Sequence, residues 1–211
     1  GAGSFGARHV RVHFGDDHGT LRSSTTIGYQ AASGDYTYFS DRGTPLNQAD
    51  DGYDVRENNG FSQVDAASRI GTDTAAGGMR LAWKEQGLPG TIVQPALKAT
   101  LSTLDVLADG HGAHDLGGGG VTERELGYVL VERQALRDPA GELGIGAQER
   151  RYVTLSGGAT STWLAAIGRH RATAGIELRG DHFRDADADG MRPALVGDRE
   201  NGAVLAAIDL A

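Results

Sequence analysis

Between Arg8 and Phe14 the chain changes chemical character at every residue. Val10, Val12 and Phe14 fall on one parity, and His9, Arg11 and His13 on the other. A period of two is the period of a strand whose sides face different surroundings; a helix would repeat every 3.6 residues. The pattern returns from Leu21 to Gln30, where Leu21, Ser23, Thr25, Ile27 and Tyr29 alternate with Arg22, Ser24, Thr26, Gly28 and Gln30. It is clearest from Arg171 to Phe183, where Ala172, Ala174, Ile176 and Leu178 alternate with Thr173, Gly175, Glu177, Arg179 and Asp181. Further strands are predicted over Phe61 to Ile70, Met79 to Lys84, Leu97 to Ala108, Glu123 to Gln134 and Tyr152 to Ala165. A last strand places Val204, Ala206, Ile208 and Leu210 on one face, which makes about nine in all. Leu97 to Ala108 alternates imperfectly, because Leu104 and Val106 switch parity relative to Leu97 and Leu101. Leu97 to Leu107 is also the best helix candidate in the chain.

The links between these segments differ in length. Short turns are predicted at Gly15 to Gly19, Asp73 to Gly78 and Ile167 to His170. Long polar connections are predicted at Ser33 to Asn59, Arg137 to Gln148 and Asp185 to Glu200. Asp109 to Gly120 reads as a Gly-rich link of intermediate length, and Gln86-Gly87-Leu88-Pro89-Gly90 as a modest break. In an up-and-down sheet every second link lies on the same side. Outer-membrane barrels keep short turns on one side and long loops on the other, whereas a soluble sandwich does not sort its connections this way.

The faces point the same way. The apolar side is thin and Ala-rich, and Phe14, Tyr29, Trp83 and Trp163 fall on it near predicted strand ends, as aromatic girdles do at membrane interfaces. The other side carries charge at mid-strand, which suits a wide wet lumen. Arg11, His13, Arg22, Glu177, Arg179 and Asp181 are the expected lumen-facing residues.

Composition narrows the alternatives. The net charge is −8 over 211 residues, with no Lys/Arg cluster, so no nucleic-acid partner is expected. Cysteine is absent, which excludes disulfides and thiolate metal sites. No stretch approaches the ~20 apolar residues of a membrane helix, but a membrane strand needs only ~9–11 alternating residues. The chain opens on Gly1 without a signal peptide and reads as a mature fragment or excised segment, a single-domain piece over residues 1–211.

Local motifs carry little chemistry. Asp185-Ala186-Asp187-Ala188-Asp189-Gly190 matches the first half of a calcium loop, but the bidentate Glu expected at its twelfth position is Val196. His9 and His13 share a strand face about 13 Å apart, too far to chelate one ion, and His111 and His114 fall in the Gly-rich link. Gly117 to Gly120 lacks the Lys-Ser/Thr of a phosphate loop, and Ser156-Gly157-Gly158 lacks the G-x-S-x-G frame of a nucleophile elbow. No catalytic residues, cofactor site or metal site are predicted, and the chain is not expected to be an enzyme.

Several segments, in order, resemble a known family. Gly3-Ser4-Phe5-Gly6 with the basic strand after it resembles the first outer loop and second barrel strand of TonB-dependent receptors. Ser33-Gly34-Asp35-Tyr36-Thr37-Tyr38, Gly43-Thr44-Pro45-Leu46-Asn47, Asp50-Asp51 and Arg56-Glu57-Asn58-Asn59 resemble the next long outer loop and the returning strand. Glu85 to Gly90 and Arg137-Asp138-Pro139 with Gly141-Glu142-Leu143-Gly144 resemble later outer loops. The family's TonB box, plug and later strands have no counterpart in these residues. The resemblance implies an all-β, antiparallel, up-and-down transmembrane β-barrel segment of about nine strands from a 22-stranded barrel in the bacterial outer membrane. As a fragment it should form an open, curved sheet with two unpaired edges. It also implies outer-membrane lipid as a partner, and contact with TonB only through the missing N-terminal region. The implied function is TonB-energised uptake of a scarce small-molecule ligand such as an iron–siderophore or cobalamin. Tyr36, Tyr38, Phe39 and Tyr53 are the candidate ligand contacts in the outer loop. A passive porin-like barrel and a soluble all-β carbohydrate-binding module are the alternatives.

Overall fold

In a computed structural model, which describes residues 5–44, 46–91, 94–117, 120–144, 146–187 and 193–209, every long element is a strand, and no helix occurs among these residues. Gly3, Ser4, Pro45, Ala188, Asp189, Gly190 and Leu210, cited above, lie outside them, as do residues 118 and 119 of the glycine run. The strands are β1 (Arg8–His18), β2 (Leu21–Ala32), β3 (Tyr36–Ser40), β4 (Gly52–Arg56), β5 (Phe61–Gly71), β6 (Ala75–Gly87), β7 (Thr100–Leu116), β8 (Val121–Asp138), β9 (Gln148–Ile167), β10 (His170–Asp187) and β11 (Leu195–Asp209). Nine form one antiparallel sheet in the order β1-β2-β5-β6-β7-β8-β9-β10-β11, and β3 and β4 form a separate hairpin between β2 and β5. The sheet is open. Among the described residues β1 pairs only with β2, and β11 only with β10.

The strands run longer than the alternation alone suggests. Gly15, Asp16 and Asp17 pair within β1, so the first turn is only Gly19 and Thr20. Leu97 to Leu107 is not helical; Thr100 opens a strand that runs to Leu116 and takes in most of the expected link, including His111 and His114. The last strand begins at Leu195, inside what reads in sequence as a loop. Ser33 to Asn59 is not a plain loop, because it folds into β3 and β4. Leucines on the charged side explain the broken alternation of β7. Leu101 pairs with Leu136 and Leu107 with Leu130 across β7 and β8, two separate apolar pairs on the opposite face from Leu104 and Val106.

With these boundaries the connections alternate without exception. Two, three, four and two residues join β1 to β2, β5 to β6, β7 to β8 and β9 to β10. At the opposite edge, residues 33–60, 88–99, 139–147 and 188–194 join β2 to β5, β6 to β7, β8 to β9 and β10 to β11. The two-residue turns hold Gly19 and Gly168, each at φ 64, at the first central position. A left-handed residue there lets the turn follow the twist of the flanking strands, and glycine reaches that region without steric cost.

Among the described residues no second layer covers the sheet. The only buried hydrophobic residues described are Ala31, Ala96 and Ala99. A soluble sandwich would press one apolar face against another. Here the fold is held by ladder hydrogen bonds and cross-strand pairs.

Candidate functional site

The sheet offers three surfaces: an uncharged face, a charged face, and the crest formed by the long connections.

In-register partners project to the same side, so the pairing assigns every side chain. Val12, Ile27, Ala66, Leu81, Val106, Val131 and Leu155 form one row across seven strands. Phe14, Tyr29, Trp83 and Trp163 all lie on this face. It is bare even in mid-sheet, with Met79 62%, Val129 51% and Leu155 45% exposed. On β9 this face carries no charge from Val153 to Ala165. That run spans about 40 Å along the strand. The greasiest stretch shifts across the sheet. It is centred on Leu81 in β6 and Val106 in β7, but on Ala174 and Ile176 in β10, closer to the short turns. Glu123 and Glu125 interrupt the face in β8, Glu85 does so in β6, and His182, Asp198 and Glu200 do so in β10 and β11. Glu123 accepts a hydrogen bond from Ser161 at 2.8 Å. Glu125 borders a shallow hollow floored by Gly77, Gly110, Gly112 and Gly127.

The pairing puts Arg11, His13, Arg22, Glu177, Arg179 and Asp181 together on the other face. Charges there compensate one another across strands. Arg11 meets Asp65 at 3.6 Å across β2, where Gly28 leaves room for the carboxylate. Asp181 takes Arg179 at 3.2 Å and Arg199 at 3.5 Å, Arg22 pairs with Asp73, and His13 bonds the Thr26 hydroxyl at 2.9 Å. Sequence reading missed Asp65, Arg69, Asp109 and Arg199. Arg69 bridges Asp109 at 3.2 Å and His111 at 2.9 Å. The signal for the first three lay in the parity of β5 and β7, which glycines and misplaced leucines obscured, and Arg199 lies in the part of β11 that reads in sequence as a loop.

The crest is organised by side chains reaching from one connection to the next. The Asn58 amide nitrogen lies 2.8–3.1 Å from the carbonyls of Leu88, Ala96 and Ala99 and donates to them. The Glu142 carboxylate accepts the backbone N–H groups of Lys98 at 2.8 Å and Ala99 at 3.2 Å. These bonds hold its pKa below the ordinary value: the Lys98 N–H contributes most, against a smaller upward push from desolvation. Asp138, fully buried at the loop end of β8, accepts the N–H groups of Glu142 and Leu143, both at 2.7 Å. Connections 57–60, 88–99 and 139–147 are thus one bonded unit.

The hairpin of β3 and β4 stands beside that unit and divides the four aromatic candidates. Tyr36 and Tyr38 lie on one side and Phe39 and Tyr53 on the other. Phe39 and Tyr53 make an edge-to-face pair 5.7 Å apart, open to solvent, and Tyr36 contacts both Phe5 and Tyr38 edge-on.

Among the described residues no group of three or more His, Asp or Glu side chains is placed to hold a metal ion. Of the calcium-loop pattern, Asp185 is buried in β10 and paired with Arg150, and Asp187 ends that strand. His111 and His114 sit in β7 on opposite faces. No protein-family model, no curated protein and no solved structure matches the chain.

Proposed function

We propose that this chain is part of the wall of a bacterial outer-membrane transport barrel of the TonB-dependent receptor kind. The observation that carries this reading is the bare uncharged face: a nine-stranded sheet with its hydrophobic side chains exposed and no second layer against them. Hydrocarbon is the solvent in which such a face is stable, and a closed barrel is the all-strand structure that can stand in it. Three further features support the reading. The uncharged run on β9 fits a bilayer core. The connections sort by edge into short turns and long loops. The shift of the greasy stretch along successive strands is what slanted strands need if a level band is to cross them.

In this reading the face bearing Arg11, His13, Arg22, Glu177, Arg179 and Asp181 lines the lumen, and further strands beyond β1 and β11 complete a barrel of 22. The crest, with Tyr36, Tyr38, Phe39 and Tyr53, is the capture surface for a scarce ligand such as an iron–siderophore or cobalamin. Uptake is energised through TonB by a plug outside this chain. The wall itself carries no catalytic step.

The two tryptophans of the chain, Trp83 and Trp163, both lie on the uncharged face and serve as reporters. The chain refolded into bilayers of brominated phosphatidylcholine should lose most of its tryptophan emission. Emission unchanged from that in unbrominated lipid ends the membrane reading. Deleting the full-length gene separates a receptor from a passive porin: a receptor's loss impairs growth on one scarce chelate or cobalamin, whereas a porin's loss lowers general permeability.

A further inference from the structure

The uncharged face is broken at one place by arginines. Arg133 of β8 stands opposite Val153 of β9, which stands opposite Arg184 of β10, and Arg151 lies two residues from Val153 toward the long connections. With strands ~4.8 Å apart and ~3.3 Å of rise per residue, their Cα atoms form a triangle with sides of roughly 8–10 Å, small enough for three guanidinium groups to converge on one tetrahedral anion. All three are exposed. Arg133 and Arg184 have no carboxylate partner among the described residues. Arg151 is 3.0 Å from Glu149, which also takes the neighbouring Arg137 at 3.5 Å. Even with Glu149 and, beside Arg184, Asp198 counted, the patch keeps a net positive charge in a chain whose net charge is −8. Immediately below it, toward the short turns, lie the exposed side chains of Val129, Val131 and Leu155, flanked on the β10 side by His182, which bonds Asp198 at 2.6 Å.

We propose that Arg133, Arg151 and Arg184 bind the phosphate of an anionic lipid headgroup whose acyl chains lie on the uncharged face beneath. This rests on the reading that the face contacts lipid. Charge complementarity selects an anion. Planar guanidinium forks suit phosphate oxygens better than point-like ammonium groups do. Continuity with the greasy band selects a lipid over a soluble anion, which would gain nothing from that band.

The test titrates the detergent-folded chain with dansyl-phosphatidic acid and with dansyl-phosphatidylcholine, reading energy transfer from the tryptophans. The phosphatidic acid should bind tighter by roughly 100-fold, about fivefold per arginine. The triple change Arg133→Gln, Arg151→Gln and Arg184→Gln should abolish the preference. The triple change to Lys should keep part of it, and Arg11→Gln with Arg22→Gln and Arg69→Gln on the opposite face should leave it intact. Arg184→Gln alone, which disturbs folding least, should cost about fivefold. Transfer from both lipids without preference, or a preference that survives the Gln triple, overturns the proposal while leaving the lipid-facing reading in place. Transfer from neither lipid overturns that reading and the proposal with it. Full displacement of the phosphatidic acid by an equal concentration of inorganic phosphate makes the site one for a free anion and also overturns the proposal.

Discussion

Asn58 lies so close above Gly87 that a Cβ on Gly87 would come within 2.4 Å of the Asn58 carbonyl oxygen. Asn58 is itself held in the left-handed region at φ 55, and its amide is committed to three carbonyls of the 88–99 connection. The clash is with backbone, so it cannot be relieved by a rotamer change. Gly87→Ala should therefore displace the 57–60 turn from that connection at a cost of ~1–3 kcal/mol. Urea unfolding of the lipid-refolded protein gives the cost. Unaltered protease resistance of residues 88–99 in the variant would contradict the clamp.

Adjacent residues on β6 project to opposite faces, so they test the membrane assignment without moving the backbone. Leu81 is at the middle of the greasy band, and Ala82 lies on the charged side. Leu81→Arg should destabilise the bilayer-inserted protein by ~2–4 kcal/mol, the cost of an arginine near the midplane. Ala82→Arg should cost well under half as much. Equal costs in a folding titration would show that the two faces meet the same medium.

Acid should loosen the crest before it loosens the wall. The pKa of Glu142 is depressed in the fold, chiefly by the Lys98 N–H. Its ionised form is therefore favoured by folding, and the stabilisation is fully present above the ordinary carboxylate range. It fades as pH falls below that range, through the depressed value. Protection factors of the Lys98 and Ala99 amides, taken against their intrinsic exchange rates, should fall in that window while those in β9 hold. Glu142→Gln should lower the protection factors of both amides already at neutral pH and remove their dependence on pH.

Asp138 allows a sharper substitution because it is fully buried. Asp138→Ala strands the N–H groups of Glu142 and Leu143 without an acceptor, at ~1–3 kcal/mol for each buried group left unmet. Asp138→Asn keeps one oxygen and should lose about half as much. Cleavage of the 139–147 connection by a nonspecific protease, followed over time, ranks the three proteins.

Much of the wall was legible because parity is stubborn. Val10, Val12 and Phe14 can share a face only if β1 is extended, and the same holds for Ala172 through Leu178 in β10. Strand ends were less legible. Gly15, Asp16 and Asp17 are turn-forming types, yet they are laddered to Ser24, Ser23 and Arg22. Gly110 and Gly112 likewise disguise the middle of β7 as a link. Pairing partners override local preference in a sheet this wide. In the crest the long connections were legible, but the bonds between them were not. Nothing in the neighbourhood of Asn58 or Glu142 announces that each reaches more than 30 residues along the chain.

The tight two- to four-residue turns at one edge fix which residue faces which. The connections at the other edge carry no such duty, because lengthening one of them moves no partner past its neighbour and costs only a slowly growing closure entropy. A gene for such a sheet can therefore vary one rim freely by insertion and deletion, while selection holds the opposite rim to the letter.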